Sequence, residues 1–137
     1  MLYTFYIFHR SQKCLVYEAF ARTRPSQDLK DEQRLIFGLI VTMKSIVSTI
    51  DKVHTFNTIT TKHYKMHVYE TASGYYFVVT SDPNVPDLRD ALKHIHSELF
   101  TQVLLRDPTY EPGTPIEHVQ FMHEVRQFFQ LKPYFSS

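Results

Sequence analysis

Between Tyr64 and Val79 the chain alternates and then abruptly stops alternating, and this change constrains its fold more than any other feature. Tyr64, Met66 and Val68 interleave with Lys65, His67 and Tyr69, the period of a strand with one wetter face. The stretch Glu70-Thr71-Ala72-Ser73-Gly74 reads as a tight turn. Tyr75 to Val79 is then unbroken aromatic and aliphatic sequence, as a strand covered on both faces requires. A half-wet strand hairpinned to a buried one belongs near one side of a sheet, and the rest of the chain has to supply helices to cover it.

The 137 residues suit one domain, 1–137, with a single core. Hydrophobic content of 43% and charged content of 21% are those of a folded chain, and no repeat, linker or low-complexity tract suggests a second unit. A net charge of +1 offers no concentrated basic face for nucleic acid or an anionic membrane. The longest uninterrupted apolar run, Leu35 to Val41, is too short to cross a bilayer, and the N-terminus lacks the pattern of a signal peptide. With Cys14 the only cysteine, no internal disulfide can form, so the expectation is a cytoplasmic chain without a transmembrane anchor. Nine Tyr and eleven Phe must fill a core, an interface, or both.

Two apolar runs, Leu2–Phe8 and Cys14–Phe20, separated by the polar residues His9 to Lys13, predict an opening hairpin. Asp28 is placed to cap a helix, with Asp31 and Glu32 where its dipole favours negative charge, and the helical pattern runs to about Ile50. The β-branched stretch Val53–Thr60 predicts a third strand. Pro83 and Pro86 mark a loop before a second helix from Asp87 to about Asp107, whose apolar stripe is Leu88, Leu92, Ile95, Leu99 and Val103. Thr114-Pro115-Ile116-Glu117 has the form of a capping box with proline at the first helical position, and Phe121, Met122, Val125, Phe128 and Phe129 stripe a third helix. The order β-β-α-β-β-β-α-α predicts an α/β (α+β) fold: a five-stranded, mostly antiparallel sheet with one helix on one face and two on the other.

That order, together with the Leu2-Tyr3 strand ending in Phe8-His9-Arg10, the Tyr64–Gly74 segment, Leu88-Arg89-Asp90-Ala91-Leu92-Lys93-His94-Ile95 and the closing Leu131-Lys132-Pro133-Tyr134-Phe135, resembles the small longin-like (SNARE-like) core subunits of the TRAPP (transport protein particle) tethering complex, of the subunit 1 type. The resemblance covers essentially the whole chain, and the Tyr64–Gly74 segment is its most specific part. The first turn, Arg10-Ser11-Gln12-Lys13, departs from it where the family often has glycine. The resemblance implies a non-catalytic subunit, peripheral at cis-Golgi and ER-to-Golgi membranes through its complex. Its implied partners are other TRAPP core subunits of longin-like and related folds, and a Rab-type GTPase activated by nucleotide exchange on a composite surface.

The residues themselves argue against an enzyme. His63 and His67 lie too far apart along a strand for one metal, His94 and His96 point in different directions on a helix, and His118 and His123 miss helical spacing. Wet surface histidines are therefore expected and no metal ligands. Cys14, among apolar neighbours, reads as an inert buried thiol. Gly38, Gly74 and Gly113 form no phosphate-cradling pattern, so neither a bound nucleotide nor another cofactor is expected.

The first helix carries the candidate site. Projected at about 100° per residue, Ile36, Ile40, Met43, Val47 and Ile50 form a face for the sheet, widened by Leu35, Leu39 and Ile46. The opposite side presents Gly38, Thr42, Ser45 and Thr49, flanked by Phe37 and Val41. A solvated face rich in serine and threonine would read the same way, but scarcity of charge beside an exposed aromatic favours a subunit contact. Phe56 and Thr58 on the third strand are expected at a sheet edge available for pairing. The apolar tail, Tyr134 and Phe135, either lids the chain's own core or meets another protein. Arg89, Lys93 and Arg106 read as the solvated face of the second helix. A rival reading is a longin-type adaptor or SNARE-regulatory domain that binds a sorting peptide or SNARE helix, although no heptad extension follows.

Overall fold

The computed structural model describes residues 1–21, 29–50 and 58–136. Its strands are β1 (Leu2–His9), β2 (Cys14–Ala19), β3 (Thr58–Thr60), β4 (Lys65–Glu70) and β5 (Tyr75–Ser81). The helices are α1 (Leu29–Ile50), α2 (Arg89–His94, continuing directly as a π-helix over Ile95–Leu104) and α3 (Val119–Gln130). All strand pairs are antiparallel, in the order β2-β1-β5-β4-β3. The two most apolar strands, β1 and β5, therefore hold the centre, where both faces must be covered.

Alternation along β1 divides the interior into two layers. Phe5 and Ile7 face α2 and α3 in a cluster with Phe77, Leu92, Ile95, Phe100, Phe121, Val125 and Phe129. Tyr6 and Phe8 face α1, in a cluster with Phe37, Ile40, Met66, Val68, Tyr76 and Val78. One helix thus covers one face and two cover the other, the longin-like arrangement expected from the element order. Phe100 is central to the larger layer, its ring meeting those of Tyr75, Phe77 and Phe121 edge-on at 4.9, 5.4 and 6.2 Å. The tail lids this layer: Phe135 meets Phe20 edge-on at 5.3 Å, and its carbonyl accepts a hydrogen bond from the Leu2 N–H.

Four local expectations are corrected. The wetter face of β4 is not wet at its middle, because the Val85–Leu88 loop and α2 pack over it. His67 is fully buried there, and the Lys65 ammonium reaches the Val85 carbonyl at 3.1 Å. The second helix does not keep an α-helical stripe, since beyond His94 its bonds run from residue i to i+5 and the buried residues become Ile95, Phe100 and Leu104, with Leu99 and Val103 only partly covered. The third helix starts at Val119, not at the capping box. The Ile116 N–H is held by the Leu15 carbonyl at 2.9 Å with Ile116 buried, so this segment runs along β2. His118 caps the helix instead, its Nδ1 accepting from the Phe121 N–H at 3.1 Å. Cys14, expected to be buried, is only half-buried, at the first residue of β2.

Backbone geometry at the sheet's turn end explains two loop residues. Gly74 has φ +91°, and a Cβ there would lie 2.7 Å from the Arg10 Cδ of the adjacent turn. Gln12 has φ 72°, the left-handed conformation that a glycine would adopt without strain. The missing family glycine thus changes the residue in the turn without changing the fold.

Candidate functional site

A long helix on one face of a sheet can bury only the arc that touches the sheet, and α1 is apolar over more than that arc. Of its 22 residues, only Phe37 and Ile40 are buried. Phe37 is a correction to the expected exposed flank, because its ring packs against Phe8 at 5.6 Å and edge-on against Tyr76 at 5.7 Å. Lys44 pins the helix's middle to the sheet, its Nζ 2.6 Å from Glu70 Oε1 and above the Tyr76 ring. The hydrogen bond to that carboxylate holds the lysine's pKa above its ordinary value, against the opposing effect of partial burial.

Because Phe37 and Ile40 define the buried centre, the apolar arc is turned relative to the projected one. Leu35 is 74% exposed, Ile46 46% and Ile50 80%, where the projection set all three toward the sheet. The predicted residues Gly38, Val41, Thr42, Ser45 and Thr49 are all exposed, on the side away from the sheet. A Cβ on Gly38 would meet nothing within 4 Å. The hydroxyls of Ser48 and Thr49 both donate to the Ser45 carbonyl at 2.9 Å, which reduces the demand of this face for outside hydrogen bonds. With the exposed Thr42 and Thr49, the exposed Leu35 and Ile46 and the partly buried Leu39 fall at alternating intervals of four and three, the spacing of a helix–helix seam. Only the uneven burial separates this seam from the sheet-facing side. By length and composition α1 is also long and apolar enough to cross a bilayer, which counting uninterrupted runs overlooked. Here Phe37 and Lys44 tie it to the sheet.

Thr58 lies on β3, which among the described residues pairs with β4 alone and forms one edge of the sheet; the earlier part of the expected Val53–Thr60 strand lies outside those residues. Phe56 lies outside the described residues. Between the first half of α1 and strands β1, β4 and β5 is a cavity of about 720 Å³ lined by Tyr3, Tyr6, Ile36, Leu39, Tyr64 and Met66 among others. Three of its polar wall groups are hydrogen-bonded: the Tyr6 hydroxyl donates to Glu32 Oε1 at 3.1 Å, Thr4 bonds Thr80, and Tyr3 bonds Asp82.

Four titratable groups are engaged structurally. The Leu88 N–H donates to His67 Nδ1 at 3.2 Å, so Nε2 carries the proton and donates to Ser81 Oγ at 2.8 Å. Burial, reinforced by the Lys65 charge and opposed by Asp87, lowers its pKa from 6.5 to about 4. His67 is therefore a buried neutral group and not the wet histidine expected. His96 is half-buried between Tyr69, Phe77 and Phe100, and burial lowers its pKa too. His118 resembles part of a catalytic dyad through its 3.1 Å contact with Asp107, but its other nitrogen caps α3, leaving none for a nucleophile. The Cys14 thiol donates to the Val16 carbonyl, and burial raises its pKa to about 11, so it is protonated near neutrality. Among the described residues no three His, Cys, Asp or Glu side chains converge on a possible metal position. Arg89, Lys93 and Arg106 are exposed.

Comparison with known proteins places the chain in company. A family model described as the Sybindin-like family matches residues 2–132. The trafficking protein particle complex subunit 1 of Dictyostelium discoideum is 36% identical, covering 100% of both chains. The human protein of the same name is 29% identical over 99% of this chain and 97% of its own. Transport protein particle subunit bet5 of Schizosaccharomyces pombe is 25% identical over 83% of this chain and 82% of its own.

Proposed function

From the premise that this chain belongs to the Sybindin-like family, we propose that it works as a core subunit of a trafficking protein particle complex. It is a single-domain, non-catalytic scaffold in this reading. It pairs through the outer face of α1 and the β3 edge with other core subunits, and helps form the composite surface on which a Rab-type GTPase exchanges its nucleotide. The complex acts on ER-to-Golgi and cis-Golgi membranes, to which the chain is held peripherally through its partners.

One observation supports the assembly role: a 22-residue apolar helix that fully buries only Phe37 and Ile40, and partly covers Ile36 and Leu39, within its own chain. Leaving Leu35, Ile46 and Ile50 in water forgoes the favourable transfer of roughly 1.5–3 kcal/mol that each fully buried large apolar side chain gains. Gly38, Thr42 and Ser45 let a partner's backbone approach closely, and the bonded hydroxyls reduce the desolvation cost of doing so. Engagement of His67, His96, His118 and Cys14 in core and capping contacts supports a scaffold over an enzyme.

Co-expression with candidate longin-like partners tests the reading. Gly38→Arg or Thr42→Arg, placed on the outer face, is expected to abolish co-purification while leaving the chain's circular dichroism and melting temperature intact. Undiminished co-purification with both variants refutes the α1 contact. A nucleotide-release assay on the assembled complex, with and without this chain, addresses the second half. Equal exchange rates would remove the chain from the docking surface.

A further inference from the structure

Helix α2 carries two apolar stripes that diverge after Ile95. An α-helical continuation of Leu88, Leu92 and Ile95 places Leu99 and Val103 against the sheet. The π-helix from Ile95 to Leu104 buries Phe100 and Leu104 instead, while Leu99 and Val103 remain partly covered by the same cluster. The wider winding is visible in individual bonds. The Leu105 N–H donates to the Phe100 carbonyl at 3.0 Å, and the Thr101 hydroxyl reaches the His96 carbonyl, also five residues back, at 2.9 Å. π-Helices are rare and usually limited to a single turn, so ten residues of this geometry need a reason in side-chain packing. The aromatic contacts of Phe100 with Tyr75, Phe77 and Phe121 supply it.

We propose that α2 is a two-register element, in which a one-residue slip beyond Ile95 exchanges Phe100 and Leu104 for Leu99 and Val103 against the sheet. Better hydrogen-bond geometry favours the α register, and larger buried side chains favour the π register. The two terms oppose each other, and packed elements with two apolar stripes change in discrete steps. A slip would turn the outer face bearing Gln102 and Arg106 and displace Asp107, which holds the α3 cap through His118 Nε2 at 3.1 Å. A protein seated on the outside of α2 would select one register, and the selection would be felt at the start of α3.

Relaxation-dispersion NMR on the full chain tests this directly, because helix register shifts fall on the microsecond-to-millisecond scale. Exchange is expected at the methyl groups of Leu99, Val103 and Leu104. Deleting Ser97, which is exposed, would bring Phe100 and Leu104 into α-helical phase with Ile95 and is expected to remove the exchange. The double variant Leu99→Gln, Val103→Gln makes the second stripe polar and is expected to do the same, so it decides the matter if the deletion variant does not fold. Flat dispersion profiles in the natural chain overturn the proposal, as does exchange that persists in either folded variant.

Discussion

At the scale of single residues, His67 and Gly74 show how little of their role lies in residue type alone. His67 is held neutral between a donor, the Leu88 N–H, and an acceptor, Ser81 Oγ. Its pKa is about 4 folded against 6.5 free, so the unfolded chain binds more protons between those values and stability falls as pH drops through that window. A shift of that size corresponds to at most about 3 kcal/mol, fully present above pH ~6.5 and lost by about pH 4. His67→Leu is expected to flatten this dependence in urea titrations. It should also lower stability near neutrality by about 1–3 kcal/mol by leaving the Leu88 N–H unpaired. Gly74 offers a second measurement. Gly74→Ala must hold φ near +91° and move the Arg10 side chain aside, for a loss of about 1–2 kcal/mol. Removing the contact with Arg10→Ala should restore only part of it, since the backbone strain remains, and full recovery would assign the whole cost to the contact.

Among the elements, those whose apolar period matched their final winding were legible, and those set by distant contacts were not. The antiparallel hairpins and the two-sided burial of β1 and β5 follow from local pattern. The α3 stripe does too, with Phe121, Val125 and Phe129 buried and Met122 and Phe128 half-buried. The start of α3 was hidden because Thr114-Pro115-Ile116-Glu117 satisfies a local rule, while the Ile116 N–H is claimed by Leu15 across the molecule. The two alternatives can be separated by substitution. His118→Ala removes the cap on Phe121 and the link to Asp107, and should lower the melting temperature by the equivalent of roughly 1 kcal/mol. Thr114→Ala removes an exposed bond to the Glu111 carbonyl and should change it by less than about 0.5 kcal/mol. The reverse order of effects would restore the capping box. The π winding of α2 was equally illegible, since a projection at a fixed angle per residue presupposes the winding it is used to find.

For the whole molecule, the question is where the surface that two core layers fail to cover comes to lie. The small-residue face of α1 was legible in sequence because Gly38, Thr42, Ser45 and Thr49 share one projected side. The apolar seam beside it was not, because Leu35, Ile46 and Ile50 are chemically indistinguishable from core residues, and only the packing of Phe37 on Phe8 and Tyr76 rotates them outward. That rotation gives the isolated chain an exposed apolar stripe along α1, a surface that promotes association. Replacing Leu35 and Ile46 together by Glu should therefore lower the apparent mass of the partner-free chain in sedimentation toward that of one copy, without lowering its melting temperature, because neither side chain is buried. A fall in melting temperature of more than a few degrees would mean that the two residues belong to the chain's own core. An unchanged distribution of mass would move the associating surface elsewhere, to the β3 edge, where among the described residues one side of a three-residue strand is paired. The same double variant should fail to join a complex through α1, so one pair of substitutions separates the chain's internal packing from its use of that helix for assembly.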